Sequence, residues 1–383
     1  MLRLSPTLAA QDTYPFVRLD EAKRRAQARG VRVVDFGMGD PREPTDARIQ
    51  QALVDALPLT AGYPRAVGLP ELRDAIARWC ERRFGERLDA EREVIPTLGS
   101  KEAIFSFAQL VVYPDGGKDV VLTTEPGYPV PERGAAFAHA EVVALPLHEE
   151  NGFLPDLGGV DDETWARAAV FWVNYPNNPT GATAGLAFYR RLAERAAEHD
   201  VVVASDEAYT ELWFDEPPVS ALAVRDRARV AVFQSLSKRS SMTGYRSGFV
   251  AGDPDVVEAL RRFRPSAGTA PQEFVQRASV VAWSDDEHVE RNRAVYARKR
   301  ALLLDLLARK NLRVAGSGAT LYLWVAVPPG ESSEAFAERL LEAGVVVAPG
   351  SYFGEAGEGY VRFALVPTEE ECARGVELLE DAL

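Results

Sequence analysis

The sequence predicts an α/β protein with a mostly parallel central sheet in a large domain and a smaller α+β domain beside it. Three observations carry this expectation. Short β-branched apolar runs alternate with amphipathic stretches through the middle of the chain, the pattern of a parallel sheet covered on both faces. Polar residues gather just after those runs, where open α/β sheets collect their ligands. The last hundred or so residues change to one long helical stretch followed by alternating strand-like runs.

In chain order, strands are expected at 119–123, 141–145, 168–174, 201–205, 230–234 and 248–251, with helices at 101–112, 185–198 and 254–264. A basic and acidic helix over 287–309 then precedes strands at 320–327, 345–348 and 360–364. The expected division is an N-terminal segment 1–46 that joins the small domain, a large domain 47–280, and a small C-terminal domain 281–383.

Composition narrows the function. A chain of 383 residues with 46% hydrophobic content builds a substantial core. Its net charge of −13 argues against nucleic acid, whose binders carry a basic face. A local cationic pocket for a small anion remains compatible with that charge. His139, His148, His199, His288, Cys80 and Cys372 share no metal-ligand spacing, so no metal is expected. Two distant cysteines form no disulfide framework, which points to a reducing cytoplasm. The N-terminus has no apolar signal region and no run reaches about 18 apolar residues, so no membrane contact is expected.

Lys238 stands out because the chain has only 6 lysines against 38 arginines. It lies in Ser235-Leu236-Ser237-Lys238, eight residues before Arg246. A buried lysine can lose its proton and attack a carbonyl, which arginine cannot do. Hydroxyls with an arginine suit a phosphate, and a Schiff-base lysine beside a phosphate site is what pyridoxal phosphate requires.

Other motifs each carry two readings. Asp206, in Asp206-Glu207-Ala208-Tyr209, either holds a proton on a pyridine nitrogen or caps a helix, and Tyr209 is either a donor to a phenolate oxygen or a buried tyrosine. The run 174–181 around Asn178 reads as a turn, or as an asparagine stiffened by the following proline to donate to a ligand. Gly99-Ser100-Lys101 opens an apolar helix, where free N–H groups receive phosphate or Ser100 supplies an ordinary cap. Arg362, in an apolar strand, either forks onto a carboxylate or makes an internal salt bridge. Gly37-Met38-Gly39 lacks the third glycine and the helix of a dinucleotide fingerprint. Ser235-Leu236-Ser237-Lys238 also matches the S-x-x-K of penicillin-binding proteins, but no K-T-G or S-D-N accompanies it.

Taken together these pieces resemble the class I/II, fold-type I, pyridoxal-phosphate-dependent aminotransferases. The resemblance runs in order through Gly39-Asp40-Pro41, Gly62-Tyr63-Pro64-Arg65, Gly99-Ser100-Lys101, Pro126-Gly127-Tyr128-Pro129, Asn177-Asn178-Pro179-Thr180-Gly181, Asp206 to Tyr209, Ser235 to Lys238 with Arg246, and Arg362. It implies that Lys238 holds the cofactor covalently and then shuttles a proton, while Asp206 pairs with the ring nitrogen. Asn178 and Tyr209 would hold the phenolate oxygen, and Tyr128 would stack on the ring. Ser235, Arg246 and the backbone of Gly99, Ser100 and Lys101 would bind phosphate, with Tyr63 reaching in from the second subunit of a homodimer. Arg362 would receive the substrate α-carboxylate, helped by Asn178 and Gly39. Amino-acid and 2-oxo-acid substrates follow, with glutamate as the expected donor.

Within that family the runs 14–20, 99–105 and 237–246 are similar to the N-succinyldiaminopimelate aminotransferases of lysine biosynthesis. Aminotransferases of aspartate, alanine or LL-diaminopimelate share most of these residues, and a β-lyase or decarboxylase on the same fold shares the cofactor residues. A cofactor-sensing regulator is disfavoured, because the roughly forty residues before the large domain hold no helix-turn-helix pattern. Asp40-Pro41-Arg42 stands where many such enzymes have Glu-Pro-Asp, so Arg42 is expected to alter the pocket mouth. Arg65 is expected either near the second subunit's site, as a cation for a succinyl carboxylate, or in solvent.

Overall fold

The computed structural model describes residues 3–11, 14–59 and 62–383. The chain enters through β1 (Val34–Asp35) and then builds a seven-stranded sheet from β2 (Val94–Thr97), β3 (Val120–Glu125), β4 (Glu141–Pro146), β5 (Ala168–Asn174), β6 (Val202–Asp206), β7 (Val230–Ser235) and β8 (Gly248–Gly252). The order across the sheet is β2-β8-β7-β6-β5-β3-β4, and β8 alone runs against its neighbours. The remainder of the chain adds β9 (Val314–Gly316), β10 (Tyr322–Ala326), β11 (Val345–Val346), β12 (Ala348–Pro349) and β13 (Tyr360–Ala364). Four of these form an antiparallel sheet in the order β12-β13-β10-β9, while β11 pairs in parallel with β1. The N-terminal segment is thereby tied to the C-terminal part of the chain.

The continuous apolar character of the central strands follows from burial on both faces. Every residue of β5 is buried. Phe171 and Val173 enter one core cluster while Val170 and Trp172 enter another, as period-2 alternation requires. Around the smaller sheet, Leu303, Leu306 and Leu307 of the helix Glu287–Arg309 pack with Leu323, Val325 and Phe363.

The six strands expected in the middle of the chain are present, with ends shifted by at most two residues. The sequence reading missed β2, a four-residue edge strand that carries Pro96 and pairs only with β8. It also missed the helices Pro70–Phe84, Glu273–Ser284 and Glu369–Ala382. The first and last of these carry many charges, which dilute their apolar periodicity.

Strand order reverses about β3, which has β4 on one side and β5 on the other. Such a reversal opens a crevice at the carboxyl ends of the strands. Tyr128 follows β3, Asn178 follows β5, Asp206 ends β6 and Ser235 ends β7, so the polar ends of four strands face that crevice.

Candidate active site

A cavity of about 320 Å³ lies at this edge of the sheet. Lys238, Asp206, Tyr209, Asn178, Tyr128, Ser100, Lys101, Ser235, Arg246, Gly39 and Arg362 all line it. These are the residues the sequence singled out, brought together from both sheets and from the N-terminal segment.

Lys238 sits on the short helix Leu236–Arg239, which starts where β7 ends. The Ser235 hydroxyl accepts the Ser237 N–H at 3.1 Å and so fixes that turn. The Lys238 ammonium donates to the Gly39 carbonyl. Burial pushes it down to about 8, with the Arg362 and Arg246 guanidiniums adding to the effect against Asp40. Asp206, only 6% exposed, accepts the Ala208 N–H at 3.2 Å. Burial raises its carboxyl from 3.8 to about 7.

Arg362 is buried in the middle of β13, beside β10. It donates to the Asn178 Oδ1 at 2.7 Å and to the Gly37 carbonyl at 2.7 Å. Its buried Nε has no partner among the described residues. The internal salt bridge weighed from sequence is therefore not formed, and neutral oxygens brace the guanidinium instead. Asn174 orders the neighbouring loop by donating to the Asp206 carbonyl at 2.9 Å while accepting the Asn178 N–H at 2.8 Å. With its oxygen committed to Arg362, the Asn178 side chain keeps its NH₂ hydrogens for a ligand. Tyr209, its phenol pushed up by burial, meets the Tyr322 hydroxyl at 2.8 Å.

At the other end, Arg246 donates to the Thr243 carbonyl at 2.9 Å and to the Leu98 carbonyl at 3.1 Å. Gly99, at φ +71°, caps the helix Ser100–Val111. The backbone there favours glycine, and a Cβ would lie 2.5 Å from an Arg246 nitrogen and push the guanidinium from its place. Ser100 is the first helical residue and makes no side-chain cap, which corrects the capping reading; its N–H is left for a ligand. Lys101, lowered by burial and by Arg246 and Arg133, lies 5.2 Å from the centre of the Tyr14 ring.

Three residues named from the sequence lie elsewhere. Tyr63 is fully exposed at 104% and Arg65 is exposed, neither lining the cavity. Arg42 pairs with Glu371 at 3.1 Å and does not shape the pocket mouth, which corrects that expectation. The reading also missed Tyr14, Phe16, Asn174, Tyr322 and Phe353, which line the cavity. Asn174 was findable as the last residue of an expected strand. Tyr14 and Phe16 lay in the run 14–20 that carried the family likeness, but only long-range packing brings them to the site.

The cavity is not offered a Ser–His–Asp triad: among the described residues the set joined by hydrogen bonds is Ser240, His288 and Asp285, at 2.8 and 2.7 Å. Ser240 is 0% exposed, so nothing can reach it. Among the described residues no group of acidic, histidine or cysteine side chains could hold a metal, and no helix is long and apolar enough to cross a membrane. Cys80 and Cys372 are both free and buried.

The family model for aminotransferase class I and II matches residues 31–379. The chain belongs to that family. The aminotransferase is 42% identical to an LL-diaminopimelate aminotransferase of Aquifex aeolicus, over 96% of both chains. It is 39% identical to one from Dehalococcoides mccartyi, over 99% of this chain and 98% of that relative. Among solved structures, a probable N-succinyldiaminopimelate aminotransferase from Thermus thermophilus superposes with a TM-score of 0.88 at 33% identity, covering 96% of this chain and 100% of that one. The class I and II aminotransferases use pyridoxal phosphate. The donor set fits that cofactor: a lysine able to lose its proton, a buried carboxylate opposite, and an arginine beside uncapped helix N–H groups.

Proposed function

We propose that this aminotransferase moves an amino group between an L-amino acid, with glutamate as donor, and a 2-oxo acid of the diaminopimelate series. Lys238 carries the reading: a half-buried lysine brought down to about 8, in one cavity with Asp206 and Arg362. Pyridoxal phosphate, when bound, supplies an electron sink for the substrate Cα.

Lys238 would be the attachment point and, once released, the amine placed to carry a proton to and from the substrate Cα. Asp206 would hold a proton on the ring nitrogen, whose positive charge would in turn offset the cost of ionising a buried carboxyl. Tyr209 and the Asn178 NH₂ would donate to the phenolate oxygen, and Tyr128, which lines the same cavity, would stack on the ring. Ser235, Arg246 and the backbone of Gly99, Ser100 and Lys101 bind the phosphate. Arg362, already aimed by Asn178 and Gly37, receives the α-carboxylate, with Gly39 lining the same end. The Lys101 ammonium offers a cation to a second carboxylate, a role that exposed Arg65 is not placed to fill within one chain. Tyr63 acts in a homodimer: Val54, Leu57, Leu59 and Tyr63 are 56%, 55%, 108% and 104% exposed, an apolar stretch that suits burial against a second copy.

Free LL-diaminopimelate is favoured as the substrate by relatives near 40% identity over nearly the whole chain. The N-succinyl derivative is the second reading, supported by the Thermus thermophilus structure and by the sequence runs named above. The test is loss of the visible band when glutamate, LL-diaminopimelate, N-succinyl-LL-diaminopimelate, aspartate or alanine is mixed with the cofactor-loaded protein. Glutamate and LL-diaminopimelate should discharge it fastest. A band indifferent to glutamate and both diaminopimelates would sink the proposal, and release of ammonia with pyruvate from an added amino acid that carries a leaving group on Cβ, such as cystathionine, would point to a β-lyase.

A further inference from the structure

We infer that Tyr322 is a positioning residue serving both ends of the reacting centre, its hydroxyl directing the proton of Tyr209 and its ring face holding the Arg362 guanidinium. The inference rests on the roles proposed above for Tyr209 and Arg362.

Backbone bonds fix where Tyr322 stands. The Phe214 N–H donates to the Gly318 carbonyl at 3.1 Å and the Thr320 N–H to the Leu212 carbonyl at 2.6 Å. These bonds stitch the turn before β10 onto the residues that follow Tyr209. The Tyr322 N–H then donates to the Thr320 hydroxyl at 3.1 Å. Tyr322 is 2% exposed, and its ring lies 5.5 Å from that of Tyr209 at 60°. The Arg362 guanidinium carbon stands 4.1 Å from the Tyr322 ring centre, nearer than to Phe353 at 4.7 Å or Phe16 at 5.3 Å. Gly39 admits this arrangement, because a Cβ there would lie 2.2 Å from the Tyr322 hydroxyl.

Proton counting gives the bond its direction. Each phenol has one proton, and the two hydroxyls are 2.8 Å apart. If Tyr209 donates to the cofactor's phenolate oxygen, it has nothing left to give Tyr322, so Tyr322 must be the donor between them. Accepting that bond polarises Tyr209 and makes it a stronger donor. The same ring supports a guanidinium through its π face without neutralising it. One side chain thus couples the electronics of the cofactor to the grip on the substrate.

The test compares Tyr322→Phe, which removes only the hydroxyl, with Tyr322→Leu, which also removes the ring, using Tyr209→Phe as reference. A hydroxyl donating to the phenolate oxygen competes for it with the protonated nitrogen of the Lys238 linkage, and so favours loss of that proton. Weakening the donation therefore raises the pKa at which the visible band of the cofactor-loaded protein titrates. Tyr322→Phe should raise it by about half a unit, less than Tyr209→Phe does. The affinity of Tyr322→Phe for glutarate, an unreactive carboxylate read from the same band, should change by less than about twofold, while Tyr322→Leu loses roughly five- to tenfold. If Tyr209→Phe moves the band pKa and Tyr322→Phe does not, or if the phenylalanine variant loses as much glutarate affinity as the leucine variant, the inference is overturned alone. If neither Tyr209→Phe nor Tyr322→Phe moves the band, the proposed role of Tyr209 falls and this inference with it.

Discussion

Asp206 and Lys238 are each held against their ordinary charge states, and the cofactor-free protein bears that cost. The Asp206 carboxyl has a folded value of about 7, above its ordinary 3.8. Its stabilising contribution is therefore complete below about pH 4 and lost as pH rises through 7. Asp206→Asn should raise the melting temperature of the cofactor-free protein at pH 8 by roughly 2–5 °C, the gap closing toward pH 4. Calorimetry at the two pH values checks this, and an unchanged or lower melting point at pH 8 would refute the burial argument. Lys238, Asp206 and Arg362 were legible in the sequence because their chemistry is rare in the places they occupy: one lysine among arginines, a carboxyl at a strand end, a guanidinium in an apolar strand. Tyr322 and Phe16 were not, because an aromatic in a strand or an N-terminal segment looks the same whether it fills a core or faces a cavity.

Elements were legible in proportion to their apolar contrast. The buried parallel strands announce themselves because both faces must be apolar, as the split of β5 between two core clusters shows. The edge strand β2 and the charged helices Pro70–Phe84 and Glu369–Ala382 did not, because Pro96 reads against a strand, charges dilute the helical pattern, and their identity depends on neighbours distant in sequence. The turn that joins β2 to the helix Ser100–Val111 is where element and site meet. Glu102 accepts the Leu98 N–H at 3.0 Å and the buried Arg264 at 2.6 Å, while the Leu98 carbonyl holds Arg246. Gly99→Ala would place a methyl against Arg246 on a left-handed backbone. It should weaken pyridoxal phosphate binding by about tenfold or more while leaving phosphate-free pyridoxal within about threefold. Equal losses for the two ligands in an absorbance titration would show that the turn does not act through phosphate.

At the scale of the molecule, one site is assembled from both sheets and from a segment that precedes β1, so neither sheet contains it alone. Leu57→Asp, within the exposed apolar stretch, should halve the mass seen by sedimentation and loosen the cofactor, if the proposed partner subunit's Tyr63 completes the phosphate site. A full-mass particle with normal cofactor retention would remove Tyr63 from the site. The carbonyl bracing of the pocket's cations has a wider consequence. Lys238, Arg246 and Arg362 are oriented by the oxygens of Gly39, Thr243, Leu98, Gly37 and Asn178, all uncharged. A carboxylate in those places would have to be displaced by each arriving anion. Dipoles aim the positive groups without cancelling them, so a chain of net charge −13 maintains a permanent receptor for molecules of its own sign, ready before any ligand arrives.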